Sequence, residues 1–191
     1  MTEAAASAVV EKVEPWLSQG DVFTSVLIVR AGVAKGAPVA GVDKGPALLI
    51  SHGCAIDKKT NSGKSKLEYL SFLPIQDVVA LPSERAERLR ASSGNVQPYE
   101  AMYLGSVPEV GEGYVTLTQP YTLPAVLLRT ELREFTAEET GDAADHRIVA
   151  TISDSRAGRL TDEALELFYR KWTSQWTRRD IVVDEPDRGE P

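Results

Sequence analysis

Two short runs of apolar and β-branched residues limit what this chain can fold into more than any other feature of its sequence. Residues 22–29 (VFTSVLIV) follow a Gln-Gly-Asp turn at 19–21, and residues 47–51 (ALLIS) follow a glycine-rich stretch. Runs of this length and composition are typical of β-strands. The second run leads into a polar tip, residues 51–54 (SHGC), which holds the only cysteine and one of the two histidines. We therefore predict a small β-barrel in which any chemistry lies at one strand end.

Further apolar runs extend this barrel. They predict strands at 67–74, 99–104 and 114–117, and residues 78–81 would continue or pair with the first of these. Glycines and a proline at 31–44 predict a loop or a loose hairpin. The chain is thus predicted to be of the α+β class, mainly β with helices.

Two helices complete the predicted fold. The first spans 83–91, with Ser83 as its N-cap. The second begins after Thr161, which can cap it, and carries acidic residues in its first turn, where the helix dipole favours anions. Apolar residues then recur at helical spacing, so we expect this aromatic helix to cover one opening or face of the barrel; they are Leu165, Phe168, Trp172 and Trp176.

The domain organisation follows from length and composition. A chain of 191 residues can bury one core without disulfides. We place a single domain at 16–181, after an N-terminal segment, 1–15, that would form a short helix or stay mobile. An acidic, proline-bearing tail at 182–191 is predicted to be disordered.

Charge and cysteine content narrow the classes of function. A net charge of −7 argues against broad nucleic-acid binding by bulk electrostatics, although a local basic patch is compatible with it. No apolar run is long enough to span a bilayer, no secretory signal is visible, and one cysteine makes no internal disulfide, so we expect a cytoplasmic protein. We expect no cofactor.

The polar tip holds the first candidate for catalysis. A thiol beside an imidazole can be an activated nucleophile, whereas a cysteine that ends a buried strand is more often a small apolar core residue. No CxxC or HxxxH pattern accompanies it, so we expect no metal. The candidate catalytic residues are Asp21, Lys44, Ser51, His52 and Cys54, of which Asp21 would ordinarily make a turn hydrogen bond.

A polar loop at 58–66 carries four lysines. As point charges they are candidates for contacts with nucleic-acid phosphates, although lysine-rich loops are also routine solubilising surface. The residues concerned are Lys58, Lys59, Lys64 and Lys66.

Residues 19–81 resemble the PemK/MazF/CcdB-type toxin barrels. In that superfamily a Gly-Asp turn opens the first strand, as at 20–23 here, and a proline-led apolar strand ends in serine, as at 46–51. The resemblance implies a small SH3-like β-barrel, often a homodimer. Toxin ribonucleases of this type place arginine immediately before that proline, whereas this chain has Gly45 there and Lys44 one residue earlier.

A closer resemblance is to a group of uncharacterised bacterial and phage proteins. They share a Gln-Gly-Asp opening, a strand ending in Ser-x-x-Cys, a Gly-Asn-x-x-x-Tyr segment and a C-terminal aromatic helix, found here at 19–21, 51–54, 94–99 and around Phe168. Those proteins commonly carry aspartate after the cysteine, where this chain has Ala55.

These observations favour a non-enzymatic interaction protein on a toxin-like barrel, encoded by a phage or mobile element, that binds a protein or a nucleic acid. The alternative is a MazF/PemK-like endoribonuclease that uses Lys44, Ser51 and the lysine loop. A third reading is a cysteine-dependent enzyme.

Overall fold

The computed structural model describes residues 7–10, 13–34, 36–56, 66–141, 144–150 and 155–177. Within them the protein is of the α+β class and consists mostly of antiparallel strands with four helices, which confirms the predicted class. The strands are β1 (Val9–Val10), β2 (Asp21–Ala34), β3 (Ala37–Leu49), β4 (Tyr69–Asp77), β5 (Ala101–Val107), β6 (Gly111–Thr116), β7 (Tyr121–Pro124), β8 (Thr130–Phe135), β9 (Asp145–Ala150) and β10 (Arg156–Leu160). The helices are α1 (Gly53–Ile56), α2 (Ser83–Ala91), α3 (Ala137–Thr140) and α4 (Asp162–Trp176).

An eight-stranded antiparallel sheet forms the body of the molecule. Its strand order is β1-β10-β2-β3-β4-β6-β5, and β7 pairs with β4 beside this path. Strands β8 and β9 form a separate two-stranded ladder. The two ends of the path also meet, because Ala8 N, next to β1, donates a hydrogen bond of 3.0 Å to Leu104 O in β5.

The Gln-Gly-Asp turn joins β2 to both of its neighbours. Gly20 has a φ of 91°, in the left-handed region that favours glycine. Its N–H donates to Leu49 O, and its carbonyl accepts from Leu160 N, both at 2.9 Å. A Cβ at this position would lie 3.3 Å from Leu160 Cβ, so close packing also favours glycine.

Two main apolar clusters fill the core. Successive side chains of a strand point to opposite faces of the sheet. Accordingly Val22 and Leu48 belong to one cluster, while their neighbours Phe23 and Leu49 belong to the other. In the second cluster the rings of Phe23 and Phe72 meet edge to face, with centroids 5.8 Å apart.

Helix α4 packs on the first cluster through Ala164 and Phe168. The predicted cap is confirmed, because Thr161 Oγ1 accepts a hydrogen bond of 3.1 Å from Ala164 N. The predicted aromatic face is wrong at its C-terminal end. Trp176 is 55% exposed there, whereas Lys171, one and a half turns earlier, is buried.

Strands β2 and β3 continue beyond the sheet as a two-stranded arm. Their ladder runs from Val22↔Leu48 to Ala34↔Ala37. Among the described residues, β10 pairs with β2 only at 21–23, and β4 pairs with β3 only at 47–49. Gly36, at a φ of 80°, lies in the connecting turn. Of the two structures predicted for 31–44, the hairpin is therefore confirmed; we refer to residues 27–44 as the hairpin arm.

Two local predictions are wrong. Residues 78–80 form a 3₁₀ turn rather than a strand, because Asp77 caps it by accepting a hydrogen bond of 2.8 Å from Val79 N. Ser83 is the first residue of α2 rather than its N-cap. The cap position is Pro82, whose carbonyl accepts from Arg85 N and Ala86 N at 2.9 and 3.0 Å.

The N-terminal segment contributes a strand to the sheet. Val9 and Val10 pair with Leu160 and Arg159 of β10, although the sequence suggested a short helix or mobile chain there. Residues 1–6 and the tail at 182–191 lie outside the described part of the chain.

Candidate functional site

The polar tip after β3 is folded back by the short helix α1. Ala55 N and Ile56 N both donate to His52 O, at 2.8 and 3.1 Å. Ile56 is 1% exposed and belongs to the second apolar cluster, so it anchors the turn to the core. His52 and Cys54 are left exposed at the surface.

His52 and Cys54 form a close pair. Cys54 Sγ lies 3.0 Å from His52 Nδ1, and the same nitrogen accepts a hydrogen bond of 3.2 Å from Cys54 N. With Nδ1 as the acceptor of this backbone bond, the thiol can donate to the same lone pair. The pair therefore has the geometry of a nucleophile beside a base.

Tyr169 of α4 and Gln19 line the same end of the sheet. The Tyr169 hydroxyl donates to Gln19 Oε1, and Gln19 Nε2 donates to Ile50 O at 3.0 Å. The ring centroids of His52 and Tyr169 are 6.3 Å apart. Burial raises the pKa of Tyr169 and the nearby Cys54 adds to this effect, whereas Arg159 lowers it. The Tyr169 hydroxyl is therefore a neutral donor that fixes Gln19.

Asp21 is buried in an ion pair with Arg156. Its Oδ2 accepts from Ser18 N at 2.9 Å, which confirms the predicted turn hydrogen bond, and from Arg156 Nη1 at 3.2 Å. Arg156 Nη1 also donates to Trp16 O at 2.8 Å, so the pair holds the segment before β2 in place. Burial raises the pKa of Asp21 to about 6, although the Ser18 hydrogen bond and the Arg156 charge lower it.

The remaining catalytic candidates do not converge on this pair. Ser51 Oγ accepts a hydrogen bond of 2.7 Å from Ser71 N and so helps to join β3 to β4. Lys44 lies opposite Leu27 in the ladder, at the foot of the hairpin arm, and is exposed. The structure therefore places His52 and Cys54 together and Ser51 beside them in sequence, whereas Lys44 lies at the foot of the arm and Asp21 is paired with Arg156.

The lysine loop is only partly described. Lys66 is exposed, while Lys58, Lys59 and Lys64 lie outside the described residues. Among the described residues no three His, Cys, Asp or Glu side chains are grouped so that they could hold a metal ion. Within that same part of the chain, no helix is both long and apolar enough to cross a membrane.

Gln19 and Tyr169 lie at the same end of the sheet as His52 and Cys54, but they were not among the candidate residues predicted from the sequence. The sequence predicts Gln19 only as part of a turn and Tyr169 only as part of an aromatic helix. The available signal was the position of Tyr169 beside Phe168, which α4 buries, so that a polar ring must emerge next to the core.

The hairpin arm is a second candidate site, suited to binding. Val29 and Val42 lie opposite each other in the ladder and are 45% and 62% exposed. Exposed apolar residues grouped on one surface commonly mark an interaction site.

No protein-family model matches this chain, and a search of curated proteins finds none with significant sequence similarity.

Proposed function

We propose that this protein is a non-enzymatic interaction protein, built on a toxin-like, SH3-like barrel, that binds a protein partner through its hairpin arm. The single observation that carries the proposal is the arm itself. Its two strands pair with each other, and among the described residues they pair with nothing else beyond positions 23 and 47.

An arm of this kind is weakly stable unless another structure packs on it or pairs with it. An isolated two-stranded ribbon is marginally stable at best. Its outer edges present unpaired backbone N–H and C=O groups, which are templates for the addition of another strand. The exposed pair Val29 and Val42 adds apolar surface that a partner would remove from water.

A protein partner fits the arm better than a nucleic acid does. Nucleic-acid affinity comes mainly from cations that neutralise phosphates. The arm sequence, residues 27–44, holds three basic residues and one aspartate, but the chain as a whole carries a net charge of −7, which opposes the binding of a polyanion. Apolar contact and strand pairing require no such cations. We therefore propose that the arm recognises a protein, in the cytoplasm, through its backbone groups and its exposed valines.

The enzymatic alternatives receive less support from the geometry. A ribonuclease that uses Lys44 and Ser51 would need both at one scissile phosphate, whereas Lys44 lies at the foot of the arm and Ser51 is hydrogen-bonded to β4. For a cysteine enzyme, a third group usually orients the base. No described residue hydrogen-bonds to His52 Nε2.

Site-specific photocrosslinking in cells that express this protein tests the proposal. A photoreactive phenylalanine would replace Val42 in one variant and, as a control, the 78% exposed Val79 in another. We expect one discrete protein adduct from position 42 that is absent from position 79. The substitution Val29→Asp should suppress that adduct, because it places a charge opposite the probe.

Equal crosslinking at positions 42 and 79, or an adduct that Val29→Asp leaves unchanged, would overturn the proposed binding surface. A nuclease-sensitive adduct would replace the protein partner with a nucleic acid. Cleavage of total RNA by the purified wild type, lost in Lys44→Ala, would establish the ribonuclease instead.

A further inference from the structure

A small apolar pocket lies at the foot of the hairpin arm, lined by the first and last residues of the arm, Leu27 and Lys44, and by residues outside it. Its volume is about 210 Å³. Strand β2, strand β7 and the 3₁₀ turn that follows β7 supply its apolar walls, through Val26, Leu27, Leu123, Leu127 and Leu128.

Lys44 is the charged residue of this pocket among the described residues that line it. Its ammonium makes no hydrogen bond or ion pair with any residue that the structure describes, and no described aspartate or glutamate lines the pocket. The exposed Ser25 hydroxyl offers a second hydrogen-bond donor at the rim. A cation that has no counter-ion among the described residues and lies beside leucine side chains is complementary to an anion with an aliphatic chain.

The volume limits the size of that anion. At about 30 Å³ for each water-sized group, the pocket has room for roughly seven non-hydrogen atoms. This is smaller than the usual range of pockets for drug-sized ligands, which begins at about 300 Å³. Hexanoate has eight non-hydrogen atoms, of which six are carbon, so its chain fits when the carboxylate oxygens lie at the rim, whereas a long-chain fatty acid does not fit.

We propose that this pocket binds a free, short aliphatic monocarboxylate. The chain lies among Leu123, Leu127 and Leu128, and the carboxylate accepts hydrogen bonds from Lys44 Nζ and the Ser25 hydroxyl. The inference does not depend on a partner for the arm, so either proposal can fail without the other.

Titration of the methyl-labelled full chain with hexanoate, followed by NMR, tests the site. We expect saturable shifts at the methyl groups of Leu123, Leu127 and Leu128. Lys44→Gln should weaken binding by on the order of tenfold or more, because a charged hydrogen bond is lost. The matched control Lys66→Gln, at an exposed lysine outside the pocket, should bind like the wild type.

Two further comparisons make the outcome decisive. Hexanol lacks the carboxylate, so it should bind the wild type no more tightly than hexanoate binds Lys44→Gln. Leu127→Glu should abolish hexanoate binding, since it adds a carboxylate to the wall. Equal affinity of hexanoate for the wild type and Lys44→Gln, or shifts outside these leucines, would overturn the site. Tighter binding of N-acetyl-leucine than of hexanoate would replace the free acid with a polypeptide C-terminus.

Discussion

At the scale of single residues, the buried ion pair of Asp21 and Arg156 shows a competition between lost hydration and charge attraction. Both side chains are almost fully excluded from solvent, at 0% and 4% exposure. Arg156 attracts the carboxylate, but the loss of hydration is the larger effect, and the pKa of Asp21 is therefore raised rather than lowered. The pair fixes the chain before β2 at the expense of stability near neutral pH.

The first prediction is that Asp21 makes the protein less stable as pH rises from 4 to 7. Its pKa rises from 3.8 to about 6 on folding, so the folded state holds the proton more tightly. The favourable contribution is complete below pH 3.8 and is lost as pH rises through 6, a change of up to about 3 kcal/mol. Urea unfolding at several pH values measures it.

Asp21→Asn should remove that pH dependence, because an amide does not titrate in this range. The control Glu84→Gln changes a carboxylate that is 77% exposed and should keep the wild-type slope. If Asp21→Asn and the wild type lose stability in parallel between pH 4 and 7, the raised pKa is refuted.

The second prediction concerns the reactivity of Cys54. His52 Nδ1, 3.0 Å from the sulfur, can accept the thiol proton, and the thiolate is the form that alkylates. His52→Ala should therefore slow the reaction with iodoacetamide at pH 7 several-fold, as followed by mass spectrometry. His146→Ala, which removes the other exposed histidine, is the matched control. Identical rates in the three proteins would mean that the pair has no chemical coupling.

The sequence predicts the residues around Cys54 only where they are close to it along the chain. His52 and Cys54 are two residues apart, so a bend at Gly53 is enough to bring them together. Gln19 and Tyr169 are 150 residues apart, and only the docking of α4 on the sheet joins them. No local pattern carries information about such a contact.

At the scale of elements, helix α4 is fastened by a buried cation as well as by apolar packing. Lys171 is 1% exposed, and its ammonium donates to Val96 O at 3.1 Å and to Pro98 O at 2.7 Å. These two bonds tie the loop after α2 to the helix. Helical spacing identified the apolar face of α4 but assigned Trp176 to it, because a lysine is ordinarily expected on the solvent side.

The third prediction is that Lys171 makes the protein more stable as pH rises from 8 to 10.5. Burial lowers the pKa of Lys171 from 10.5 to about 8, so the unfolded chain binds more protons than the folded protein between these values. Unfolding therefore becomes harder with rising pH, by up to about 3 kcal/mol. Lys171→Met should lack this increase, whereas Lys66→Met should retain it. A rise of equal size in all three proteins would contradict the assignment.

The hairpin arm shows which parts of its two strands the sequence predicts and which parts it leaves undecided. The strands at 22–29 and 47–51 were predicted because their apolar residues form continuous runs. The intervening residues are small and rich in glycine, so the sequence predicts a loop or a loose hairpin there without deciding between them. The hairpin forms, and its ladder continues to Ala34↔Ala37, since cross-strand pairing extends the sheet through residues of low strand propensity.

At the scale of the whole molecule, the sheet depends on contacts that join its first and last strands. Ser7 Oγ donates to Ser106 O, and Ala8 N donates to Leu104 O, at 2.6 and 3.0 Å. Ala8 O in turn accepts from Thr161 N at 3.0 Å, so the same segment reaches the start of α4. Composition alone assigned this segment to a short helix or mobile chain, because its role depends entirely on distant strands.

The last prediction tests this junction. Ala8→Pro removes the N–H that donates to Leu104 O but keeps the carbonyl that accepts from Thr161 N, so it should lower the free energy of unfolding by about 1–3 kcal/mol. Ala8→Gly keeps both groups and should lower it by well under half as much. Hydrogen exchange, measured together with urea unfolding, should speed up in β1 and at the β5 edge only in Ala8→Pro. Loss of this hydrogen bond should expose both strands that it joins. Equal destabilisation by the two substitutions, or unchanged hydrogen exchange in β5, would mean that packing holds the ends of the sheet together instead.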